Sequence, residues 1–93
     1  MYPLSPDTTT SDSQAVGAVA TTMAPTMGVA DRWLFVSSTN CWIAQGAAPT
    51  AAAADGSMFV PANVFVTISG KGGAKLSVIQ ASAAGTASLT RVI

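Results

Sequence analysis

The chain reads as an all-β protein: a small β-sandwich or jelly-roll-like barrel with an extended N-terminal arm. Three observations predict this. From Arg32 onward, short β-branched and aromatic runs recur between Gly, Pro, Asn and Ala breaks. Several of these runs alternate with period two, the spacing that sends successive side chains to opposite faces of a strand. The first thirty residues have another texture: rich in Thr, Ser and Ala, with three prolines and no basic residue.

In chain order, the arm comes first, over residues 1–31, and the β-domain spans 32–93. The opening stretch MYPLSPDTTTSDSQAVGAVATTMAPTMGVA is too poor in large apolar residues to offset the cost of ordering itself in isolation. A helical turn starting at Ser13 is opposed by Gly17, two valines and paired threonines. Tyr2, Leu4, Met23 and Met27 are the residues able to anchor such an arm on a neighbouring subunit, and fully extended it would reach on the order of 100 Å. On this reading the arm is dispensable for folding of the β-domain. Asp31 and Arg32 form the hinge between the two.

The spacing then predicts strands over 33–37, 41–45, 57–60, 64–69, 75–80 and 88–93. In NVFVTIS, Val64, Val66 and Ile68 share a face opposite Phe65 and Thr67. Leu76 and Val78 share a face in KLSVIQ, and Leu89, Arg91 and Ile93 share one opposite Thr90 and Val92. PTAAAADG, residues 49–56, is predicted to be a loop, because four alanines cannot nucleate a helix in water. GKGGAK, residues 70–75, lacks the Walker A spacing and precedes a strand, so it reads as a glycine-rich hairpin connection.

Composition narrows the function. Charged residues make up 9% of the chain, four acids against four bases, for a formal net charge of zero; an average soluble domain has about 25%. Four scattered bases form no phosphate-binding patch, so nucleic acid is not an expected partner. No run approaches the roughly 20 apolar residues of a membrane span. The N-terminus has no basic n-region and apolar h-region, which predicts a protein made in a cytoplasm. With no His, no Glu and one Cys, neither a metal site nor any other cofactor is expected, and Cys41 has no disulfide partner. A domain this small often needs a staple, and self-association is the one left open.

DRWLFVSSTNCWIAQGAAPT, residues 31–50, gathers the only cysteine and both tryptophans. A nucleophilic Cys41 would need a base, and none is in view, so no enzymatic activity is expected and Cys41 reads as a small buried residue. Strand alternation puts Cys41 and Ile43 on the inner face and Trp42 on the outer one. Trp33 and Trp42 are expected to fill the core or a subunit interface, with an aromatic platform for sugar as the alternative. The candidate interface residues are therefore Tyr2, Leu4, Met23, Met27, Trp33 and Trp42.

One further pattern runs along the β-domain. It begins with CWIAQG (41–46), followed by PTAAAA (49–54) and SMFVPA (57–62). GKGGAKLSVI (70–79) and GTASLT (85–90) complete it. In this order the segments resemble small virion proteins of tailed bacteriophages, over about two-thirds of the chain and excluding the arm. The resemblance implies an all-β structural module on a phage particle, a capsid decoration or cement subunit with no catalytic residues. Its implied partners are other copies of itself, as a homotrimer, and the major capsid protein or another virion protein. Its implied place is the virion, assembled in the host cytoplasm. A head–tail junction, tail or fibre-base subunit fits the same resemblance. A carbohydrate-binding β-module, using Trp42 and Trp33, is the alternative from another class.

Overall fold

The computed structural model describes residues 6–29, 31–52 and 57–92, with side chains from Ser11 onward. Eight strands follow one another: β1 Pro6–Val16, β2 Thr21–Thr22, β3 Arg32–Ser37, β4 Cys41–Gly46, β5 Met58–Val60, β6 Val66–Ser69, β7 Lys75–Gln80 and β8 Gly85–Val92. They form two four-stranded sheets, ordered β1-β8-β3-β6 and β2-β7-β4-β5, with every pairing antiparallel. Apart from the β4–β5 link, each connection leaves one sheet for the other. Eight antiparallel strands in these two interleaved orders make a jelly roll.

Period-two patterning drives the packing. β3 sends Trp33, Phe35 and Ser37 inward, β4 sends Cys41 and Ile43, and β8 sends Ala87 and Leu89. Leu76 and Val78 of β7 and Val60 of β5, flanking β4 in its sheet, complete the space between the sheets. Expected strand positions agree with those observed within three residues at each end, and β7 agrees at both ends. Val66 and Ile68 share the inner face as expected, while Val64 lies outside β6 and is exposed. In the last strand, Val92 rather than Arg91 is buried, where the β1–β8 register slips between Pro6 and Ser11. Arg91 reaches Asp31, with its Nη2 3.5 Å from the Asp31 Oδ1.

The arm expected over residues 1–31 is the chief correction. Its described part lies extended, but inside the sandwich rather than beyond it. β1 pairs with β8 from Ser11 opposite Thr90 to Val16 opposite Gly85. The chain then crosses to the other sheet, where Thr21 and Thr22 pair with Val78 and Ser77. Met23 N–H donates to the Leu76 carbonyl (2.8 Å) and Met27 N–H to the Ala74 carbonyl (2.8 Å). Val16, Met23 and Met27 are thereby buried in the common core. The helical turn from Ser13 does not form, because these residues take their hydrogen bonds from β8. The Cα radius of gyration is 12.1 Å, about that of a compact domain of this length.

Residues 70–74 are a second correction. They do not close a hairpin, since β6 and β7 belong to different sheets. Gly70 N–H donates to the Asp31 carbonyl, Gly73 N–H to that of Met27, and Ala74 N–H to that of Lys71. A Cβ on Gly70 would lie 2.8 Å from the Met27 Cβ and 2.9 Å from the Gly28 carbonyl oxygen. Gly73 has φ +78°, a conformation costly for any residue with a side chain. The glycines thus let the crossover pass tightly over Met27 and Gly28. Asp31 is less a hinge than a fastener: its Oδ2 accepts from Gly28 N–H at 2.9 Å and closes the turn into β3.

Two side-chain clamps tie the sheets at opposite sides. Asp12 on β1 accepts from Ala24 N–H, just past β2, at 2.9 Å. Gln45 on β4 donates to the Ser69 carbonyl at 3.3 Å and accepts from Lys71 N–H at 2.7 Å.

Because Met27 is fully packed, Met27→Ala should cost about 2–5 kcal/mol in urea unfolding. Removing residues 1–30 should abolish the cooperative transition altogether. A truncated chain that unfolds with the midpoint of the full one would show that β1 and β2 add nothing to the core.

Candidate functional site

The largest exposed aromatic feature lies on the outer face of the β2-β7-β4-β5 sheet. Trp42 of β4 stands between Phe59 of β5 and Ile79 of β7, its register partners. The Trp42 and Phe59 rings meet edge to face, centroids 5.3 Å apart and planes at 68°. This favourable aromatic geometry leaves Trp42 half-buried and Phe59 exposed. Nearby, the loop after β4 folds over the same sheet: Ala51 is buried, and its N–H donates to the hydroxyl of the equally buried Ser77 at 3.0 Å.

Between the sheets, on the side where β5 and β6 form the edges, a cleft of about 340 Å³ opens. Ile43, Ala44, Gln45, Ser57, Met58, Ile68 and Leu76 line it. The lining is apolar except for the Gln45 amide, engaged in its clamp, and the Ser57 hydroxyl, which accepts from Ala52 N–H at 3.1 Å. No titratable side chain lines the cleft. It can accept apolar groups but supplies no acid, base or nucleophile beyond one hydroxyl.

The anticipated interface residues are scattered by the fold. Tyr2 and Leu4 lie outside the described residues. Met23, Met27 and Trp33 are buried in the core of their own chain, which corrects the expectation that the two methionines meet a neighbouring subunit and leaves Trp33 with the core alternative. Of the described candidates Trp42 alone remains partly accessible, and Phe59 packs against it. The Trp33 ring edge rests beside Gly70, and its Nε1 is the one buried side-chain polar atom without a hydrogen-bond partner among the described residues. Leaving that N–H unpaired costs on the order of 1–3 kcal/mol, a cost borne because the ring fills the centre of the core.

Cys41 sits on the inner face with Ile43, fully buried. Burial pushes its thiol pKa up, partly offset by a hydrogen bond from the Ser37 side chain. Asp12 shifts the other way: the Ala24 N–H holds its carboxyl below the usual value, against a smaller opposing effect of burial and with help from Gln14. Among the described residues no three of His, Cys, Asp and Glu come together as a metal-binding group, and no helix is long and apolar enough to cross a membrane.

Sequence reasoning missed Phe59, Phe65 and Gln45. A signal for the first two was available: residues 57–70 contain no charged side chain and hold two of the three phenylalanines. No sequence signal marks Gln45, whose role depends on which strand lies across the sandwich.

Comparison with protein-family models, curated proteins and solved structures found no match.

A thiol pKa raised in the folded state stabilises the fold below the ordinary thiol range, and that contribution is lost as pH rises through the folded value. Native Cys41 should therefore react with a thiol reagent at least ~100-fold more slowly than in denaturant, and stability should decline at alkaline pH. Equal labelling rates in the folded and unfolded chain would place the thiol at the surface.

Proposed function

We propose that the chain is a structural building block of a tailed-phage particle: a capsid decoration or cement subunit that works by contact rather than by chemistry. One observation carries the reading. A minimal jelly roll spends its polar chemistry on its own clamps and offers outward an uncharged apolar edge and an aromatic pair. Jelly rolls serve in viral capsids and in lectins, so the fold supports this by analogy alone. The virion-like order of segments along residues 41–90 supports it independently. The partners on this reading are further copies of the chain and the major capsid protein or another virion protein. No cofactor, nucleic acid or membrane takes part. The particle is assembled in the host cytoplasm.

A carbohydrate-binding role is the second reading, favoured by the accessible Trp42–Phe59 pair. It loses Trp33 as a contact, because that ring is buried.

Quantitative mass spectrometry of purified particles tests the proposal. Hundreds of copies per particle are expected of a decoration subunit. A few copies would move the protein to the head–tail junction, tail or fibre base, and none would end the virion reading. Quenching of tryptophan fluorescence by glycans, lost in Trp42→Ala, would favour the second reading instead.

A further inference from the structure

The two open sides of the sandwich are built differently. Strand edges of soluble proteins are normally blunted by charge, proline, irregular pairing or shortness, since they otherwise pair with other chains. The β1–β2 side has such protection: Asp7 and Asp12 lie on β1, its pairing slips between Pro6 and Ser11, and β2 is two residues long. On the other side, β5 has three residues and is followed by Pro61. β6, Val66–Ser69, is four residues long and its Ser69 carbonyl is taken by Gln45, but it carries no charge, proline or irregular pairing. Around it, Met58, Phe59, Val64 and Phe65 are 48%, 44%, 47% and 56% exposed, and the whole of residues 57–70 is uncharged.

We propose that this edge is where a second copy of the chain docks, β6 against β6 across a two-fold axis, with Phe65 packed beside the paired strands. A strand edge presents alternating N–H and C=O groups that another strand edge matches. A two-fold contact sets each patch against itself, so any charge in it would face its like, which is destabilising. β6 carries none. The formal net charge of zero adds no long-range repulsion between copies. A two-fold contact gives a pair, where the sequence resemblance implies a trimer. The inference rests on the structural-subunit reading for its biological sense, while the contact itself is a property of the purified chain.

Light scattering of the full chain over a concentration series tests it, with Thr67→Lys and Phe65→Lys as edge variants. Val19→Lys and Val29→Lys serve as controls at sites 80% and 83% exposed elsewhere. The wild type and both controls should show twice the chain mass of 9.3 kDa, and the edge variants the single mass with unchanged melting. Hydrogen exchange on the wild type alone gives a second readout, since protection of the residue 66–69 amides should rise with concentration. A wild type that stays monomeric, a three-fold mass, a pair that survives both edge variants, or exchange independent of concentration would each overturn the proposal. A pair in solution with no copies in particles would defeat the virion reading and leave this contact standing. A monomer present in particles would do the reverse.

Discussion

The rest of the structure depends on filling one shared core from both ends of the chain. With ninety-three residues, one cysteine and no disulfide available within the chain, the space between two sheets must be filled by apolar side chains from nearly every strand. The six later strands supply Trp33, Phe35, Ile43, Val60, Leu76, Val78 and Leu89 among others. That leaves a gap over β7 and beside β8 that Val16, Met23 and Met27 occupy. Burying each of these side chains contributes about 1.5–3 kcal/mol, a large part of the marginal stability of so small a domain.

This requirement explains where polar chemistry went. Asp12 and Gln45 hold the sheets together at opposite sides, Asp31 fastens the turn into β3, and Ser77 anchors the loop lying across β7. A chain with few charged residues has assigned several of its polar side chains to internal bonds. Outward on the β5–β6 side, Met58, Phe59, Val64 and Phe65 stand exposed among uncharged residues.

The β-domain was legible because its strands are half-buried and alternate. In β3 and the start of β4, buried and less buried positions alternate, with Trp33, Phe35 and Ser37 and then Cys41 and Ile43 facing inward, so period two marks both strand and face. β1 was not legible, for a physical reason. An edge strand of Asp, Thr and Ser needs only its main chain to pair, and of the described β1 side chains only Val16 enters the core. Composition counts that stretch as too polar to fold, which holds in isolation but not beside β8. Met23 and Met27 were singled out as apolar anchors, yet only the strand order shows that they bind their own sandwich. The candidate surface was half legible: alternation turned Trp42 outward, while Phe59 as its neighbour follows only from the β4–β5 register.

The pairing of β1 with β8 also sets a schedule for synthesis. Pro6 meets Val92 and Ser11 meets Thr90, so the first strand made finds its place only after the last has left the ribosome. Contacts so distant along the chain close slowly. Until then the nascent polypeptide holds β1 without its partner strand and the β8-facing edge of β3 open. The same strands that complete the core therefore leave the growing chain exposed to aggregation, and a chaperone would have most to protect in the interval just before β8 emerges.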